Sequence, residues 1–207
     1  MSRQDSSFGL KNFTQTITGT SETPLLSPPS SGVNTGFPSP LFPLNTSTYP
    51  IGVFVGFPPD MGRTIDGHPF EVNLVANISG NTTTNVLVNL YNAQKSSWSQ
   101  GPYSSAYTLG TLGTGCTNVV TGTATAGITS SVSVNVWLKA QFVYSSTTKI
   151  LSFGSAAQYL NGTVVAIGAT ANVTGATLFD LNFIPSFTFA SGGTNTVSIT
   201  EFFVARL

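Results

Sequence analysis

From Ile51 onward, apolar and polar residues alternate with the period of two that marks β-strands with one buried face. Phe70, Val72, Leu74, Ala76 and Ile78 fall on one face, with Glu71, Asn73 and Asn77 on the other, before a turn at Gly80-Asn81. Val86, Val88 and Leu90 then alternate with Asn85 and Asn89, and the two segments are expected to pair as a hairpin. The longest alternation runs from Ser131 to Tyr144: Val132, Val134, Val136, Leu138, Ala140, Phe142 and Tyr144 share a face opposite Ser133, Asn135, Lys139 and Gln141. A Ser-Ser-Thr-Thr turn and the segment Lys149 to Phe153 predict an antiparallel partner for it. Further strands are expected at Thr163 to Ile167, Leu178 to Phe189 and Thr196 to Ala205.

No stretch has the spacing of an amphipathic helix. The abundant Gly and β-branched Val, Ile and Thr weaken helices, and the branched residues suit strands. About eight short strands joined by polar turns predict an all-β chain, an antiparallel β-sandwich of the jelly-roll kind over residues 51–207, with an up-and-down barrel as the alternative. No repeat of fixed period points to a solenoid or propeller.

Residues 1–50 read differently. Pro24, Pro28, Pro29, Pro38, Pro40, Pro43 and Pro50 interrupt ladders and favour extended backbone, which predicts an N-terminal arm. Phe8, Phe13, Leu25, Leu26, Phe37, Leu41 and Phe42 are too many apolar residues for a solvated linker, so the arm is expected to lie along a folded surface or a neighbouring subunit.

Composition sharpens this picture. Only 7% of the 207 residues are charged, against about 25% in ordinary soluble domains. The 40% hydrophobic and 11% aromatic content still supplies a core, so Ser, Thr, Asn and Gly must cover the surface. A formal net charge of zero gives copies little reason to repel, which favours association. The seven basic residues are scattered from Arg3 to Arg206, so no nucleic-acid surface is expected. No apolar run reaches the length of a bilayer-spanning helix, and the N-terminus has no apolar signal core; a soluble chain without a membrane partner is expected. Cys116 is the single cysteine, which rules out an intrachain disulfide and a Cys-based zinc site. The Asn-x-Ser/Thr triplets at Asn12, Asn45, Asn77, Asn81, Asn161 and Asn172 follow from Ser/Thr richness and predict no glycosylation.

The densest polar cluster is Asp60, Arg63, Asp66, His68 and Glu71, which holds the only histidine. Acid/base or hard-cation chemistry can be drawn from those residue types. Yet Pro58-Pro59-Asp60-Met61-Gly62 and Asp66-Gly67-His68-Pro69 are turn sequences, and the structural role is expected. There is no Gly-x-Ser-x-Gly elbow, and the spacing of Asp60, Asp66, Glu71, Asp180 and Glu201 favours no carboxylate pair. The Gly110 to Gly115 stretch lacks the Gly-Lys-Ser/Thr ending of a phosphate loop. No enzyme activity, metal or cofactor is therefore expected. The candidate contact residues are aromatic: Trp98, Tyr103 and Tyr107 in a Ser- and Gly-rich setting, and Trp137 on the Lys139 and Gln141 face of its strand. They suit packing, a subunit contact or a glycan.

The segment from Ser131 to Leu207 resembles the closing part of small jelly-roll proteins of bacteriophage particles. The likeness rests on Val136-Trp137-Leu138-Lys139-Ala140, Ile150-Leu151-Ser152-Phe153-Gly154, Phe179-Asp180-Leu181-Asn182-Phe183 and Ile199 to Leu207. It implies a virion structural protein at the capsid surface: a decoration or cement subunit, or part of a fibre or spike, often a homotrimer, with itself and viral capsid proteins as partners. A carbohydrate- or receptor-binding module is the alternative.

Overall fold

The computed structural model describes residues 9–25, 53–54, 66–81, 83–93, 116–125, 127–129, 131–176 and 181–207. Its strands are β1 (Gly9–Thr18), β2 (Thr23–Pro24), β3 (Val53–Phe54), β4 (Pro69–Gly80), β5 (Val86–Ala93), β6 (Cys116–Thr121), β7 (Val134–Ser145), β8 (Ile150–Leu160), β9 (Thr163–Val165), β10 (Ala169–Thr170), β11 (Val173–Thr174), β12 (Asn182–Phe189) and β13 (Thr194–Arg206). No helix occurs among the described residues. Every ladder between these strands is antiparallel, and an isolated parallel bridge joins Asp66 to Tyr144.

Two sheets form. A seven-stranded sheet has the order β1-β13-β4-β7-β8-β11, with β9 also on β8. A six-stranded sheet has the order β10-β6-β5-β12-β2, with β3 also on β12. The alternation explains the layering. In β4, Phe70, Val72, Leu74, Ala76 and Ile78 are all buried; in β7 the same holds for Val134, Val136, Leu138, Ala140, Phe142 and Tyr144. Those faces meet Val86, Val88 and Leu90 of β5 and Phe183, Phe187 and Phe189 of β12 in one core. Its centre is aromatic: the Phe183 ring of the six-stranded sheet lies 5.0 Å from Phe142 and 6.0 Å from Phe70 of the other. Offset and edge contacts of this kind add to the hydrophobic gain of burial. The architecture is the antiparallel, jelly-roll-like sandwich the alternation predicts, and the barrel alternative falls because the strands divide into two packed sheets.

One expected pairing is corrected. β4 and β5 are not a hairpin: β13 and β7 occupy the two edges of β4, while β12 and β6 flank β5 in the other sheet. The turn after β4 is tied to β13 instead, with Asn81 Oδ1 accepting from the Thr194 amide at 2.9 Å. The chain then crosses between layers.

The described part of the expected arm is also more ordered than an appendage. β1 pairs with β13 over nine register positions, β2 pairs with β12, and Ile17 and Leu25 enter the core. Thr14, Thr16 and Thr18 point outward while Gln15 and Ile17 are buried, so this segment has the strand period too. Residues 26–50 of the arm lie outside the described residues.

At the junction of the two sheets, Gln158 of β8 is fully buried. Its Oε1 accepts from the Thr123 amide at 2.7 Å and its Nε2 donates to the Thr123 carbonyl at 3.0 Å. One side chain thus satisfies the backbone of the segment that leaves β6. Gly122 is required beside it, because a Cβ there would stand 2.5 Å from the Val88 carbonyl oxygen and 2.6 Å from Gln158 Oε1.

Candidate functional site

The outer face of the seven-stranded sheet carries side chains in rows across the strands, since directly paired residues point to the same side. One row is Glu201, Val75, Trp137, Tyr159 and Val164, on β13, β4, β7, β8 and β9 in turn. Asn161-Gly162 fixes the end of that row. With φ of 49° and 84° they form the tight turn that brings Leu160 opposite Thr163 and therefore Tyr159 opposite Val164.

Trp137 and Tyr159 stack with ring centroids 4.8 Å apart and an interplanar angle of 22°. The two rings lie face against face and form one aromatic knob in the middle of the row. Trp137 remains 39% exposed and Val164 62%.

The knob is held by a polar network on the two adjoining rows. Trp137 Nε1 donates to Asn73 Oδ1 at 3.2 Å, and Asn73 Nδ2 donates to Glu71 Oε1 at 2.8 Å. Gln141 Nε2 donates to Glu71 Oε2 at 3.1 Å, and Ser155 Oγ donates to Gln141 Oε1 at 2.9 Å. Lys139 Nζ lies 3.9 Å from Glu71 Oε2 and 5.3 Å from the centroid of the Trp137 ring. On the far side of the aromatic row, Asn77 Nδ2 donates to Asn135 Oδ1 and Ser133 Oγ. An apolar stripe thus runs between two polar bands whose side chains are already ordered.

A second carboxylate network covers part of the six-stranded sheet. Glu22, just before β2, accepts from Asn89 Nδ2 at 2.8 Å and Ser186 Oγ at 2.5 Å through Oε1, and from the Tyr91 hydroxyl at 3.1 Å through Oε2. Burial, followed by the charge of Glu22 and its hydrogen bond, pushes the Tyr91 phenol up to about 12. This cluster clips the N-terminal segment to β5 and β12.

Asp60, Arg63, Trp98, Tyr103, Tyr107, Asp180 and the Gly110 to Gly115 stretch lie outside the described residues. Asp66 accepts from the amide of Ser146 at 2.8 Å and from its hydroxyl; these bonds hold its carboxyl below the ordinary carboxylate range. It closes the turn at Gly67, whose φ is 72°. His68 is exposed, and Glu71 engages Asn73 and Gln141 rather than His68 or Asp66. Of the polar cluster noted in the sequence, Asp66 thus serves a turn, the structural role expected there, and Glu71 a sheet-face network. Among the described residues no three His, Cys, Asp or Glu side chains gather as a metal site. An open depression of about 340 Å³ at the end of β4 and β13 is lined by Ser79, Gly80, Asn81, Thr194 and Thr196, with no titratable side chain.

The sequence pointed to Trp137 and to the side of the strand it shares with Lys139 and Gln141. Tyr159 was missed because Gly154-Ser155-Ala156-Ala157 breaks the apolar alternation before it; only the register places it beside Trp137.

No family model matches the chain, and no curated protein does. Among solved structures, similarity is found to a legume lectin-like domain from Entamoeba histolytica (8% identity, TM-score 0.33, 69% of this chain and 74% of that one). It is also found to lectin UEA-II complexed with galactose (9% identity, TM-score 0.33, 98% of both chains) and to alginate lyase A1-II′ of polysaccharide lyase family 7 (9% identity, TM-score 0.32, 89% and 79%). Superpositions this loose carry no weight for function.

Proposed function

We propose that this chain is a non-catalytic assembly protein that docks through the outer face of its seven-stranded sheet. The observation that carries this reading is the stacked Trp137–Tyr159 pair, with Trp137 exposed, pre-ordered by Asn73, Glu71, Lys139 and Gln141. Exposed aromatics held in one rotamer lose little entropy on docking, and Trp and Tyr dominate the energetic centres of protein interfaces. The ring faces are engaged with each other and, for Trp137, with the Lys139 ammonium. That arrangement suits insertion into a partner surface better than stacking under a sugar ring.

The specific form of this reading is a coat or decoration subunit of a virus particle, as the pattern from Ser131 to Leu207 implies. Its test is quantitative mass spectrometry of gradient-purified virus-sized particles from the source, with Trp137→Ala as comparison. Copy numbers near those of the main coat protein, lost in the variant, are expected; absence of the chain from particles overturns the particle role. A glycan-binding module is the second reading, favoured by the part-exposed polar side chains of Lys139 and Gln141 beside the aromatic pair. Glycan-array binding that disappears in Trp137→Ala would place it first.

A further inference from the structure

Resting on that docking reading, we infer that the occupant of this face is a second copy of the same chain, joined about a two-fold axis that runs along the strands between β4 and β7. Three features of the face lead there. It is self-complementary in charge: Glu71 stands on β4 and Lys139 on the neighbouring β7, in adjacent rows. An axis between those strands lays β7 of each copy over β4 of the other. It seats Trp137 over the partner's Val75 and carries Lys139 to the partner's Asn73–Glu71 pair. Each ammonium then answers a carboxylate across the interface, twice per dimer.

The face is also large enough. β4 and β7 are each 12 residues long, about 40 Å at strand rise, and the five long strands from β1 to β8, of 10 to 13 residues, are about 19 Å across. The product, on the order of 800 Å² per copy, equals what a standard specific interface buries on each side. Finally, the zero formal charge of the whole chain leaves no long-range repulsion between copies. An isologous contact also closes on itself, so a neutral, assembly-prone surface is used up in a dimer rather than propagated into fibres.

The test is sedimentation velocity and equilibrium on the full chain up to about 100 μM, with circular dichroism confirming that each variant stays folded. The wild type is expected as a dimer, and Trp137→Ala is expected to raise its dissociation constant about 30-fold or more. Lys139→Glu and Glu71→Lys are each expected to be monomeric alone and to form a heterodimer when mixed, an outcome that a merely structural role for either residue does not give. A wild-type monomer at the highest concentration, a trimer, or a dimer indifferent to all three substitutions overturns the two-fold pairing. Particle incorporation lost in Trp137→Ala while the free chain stays monomeric would overturn the second copy as occupant and keep the docking reading. Loss of neither self-association nor incorporation in that variant would overturn both.

Discussion

Glu71 and Glu22 use one chemistry to opposite ends. Each carboxylate collects neutral amide or hydroxyl donors: Asn73 and Gln141 around Glu71, and Asn89, Tyr91 and Ser186 around Glu22. Glu71 grows out of the strand whose face it organises, so its network lies within one sheet surface and leaves an aromatic knob exposed above it. Glu22 comes from the segment leading into β2 rather than from β5 or β12, so its hydrogen bonds fasten that segment over the six-stranded sheet, where Asn89 and Ser186 are buried. A carboxylate embedded in a sheet prepares a surface, whereas one brought in from outside closes it.

The largest effect should come from the core that both networks flank. Phe183→Ala removes the ring that meets Phe70 and Phe142 and is expected to cost about 3–5 kcal/mol, with fluorescence and circular dichroism reporting one shared urea transition. Two separated transitions would show that the sheets unfold independently and that the two outer faces must be treated as properties of separate units. Next, Glu22→Ala should cost about 2–3 kcal/mol, because it strips a charged acceptor from three part-buried donors. Glu71→Ala should cost less, about 1–2 kcal/mol, because it strips the acceptor from two part-buried amide donors instead of three. Equal costs in thermal unfolding would erase the contrast between clip and surface.

A further effect is a pH dependence on the Glu22 side. The folded Tyr91 phenol keeps its proton to about pH 12, against a reference of 10.0. The stability linked to it is therefore fully present below pH 10 and is lost as pH rises toward the folded value. Denaturation midpoints followed through this alkaline window should fall more steeply for wild type than for Tyr91→Phe. Parallel curves would detach Tyr91 from the clip.

The layers of this fold were legible and their connections were not. Strict alternation in β4 and β7 identified the residues that face the core, because burial of one face imposes a period of two. The same alternation is silent about neighbours: nothing in Val86 to Leu90 distinguishes pairing with β4 from pairing with β12. Proline content masked β1, whose Gln15 and Ile17 alternate with Thr14, Thr16 and Thr18 as in any strand. At the site, Trp137 was visible as a large apolar residue on a polar face. Glu22 stood in a short polar stretch, Ser21-Glu22-Thr23, with no signal of its own; its role exists only because Asn89, Tyr91 and Ser186 converge on it.

The position of β13 between β1 and β4 sets the order in which this molecule can be made. The Thr14 hydroxyl donates to that of Ser198, 184 positions later, and β4 draws one of its two neighbours from the same late segment. Loop closure over such separations makes folding slow. On the ribosome, β4, β7 and β8 can associate early, but β4 keeps one edge open, and β1 has no ladder to join, until Thr194–Arg206 has been synthesised. The nascent chain therefore passes through a stage with an unpaired edge strand, the form most exposed to pairing with the wrong neighbour.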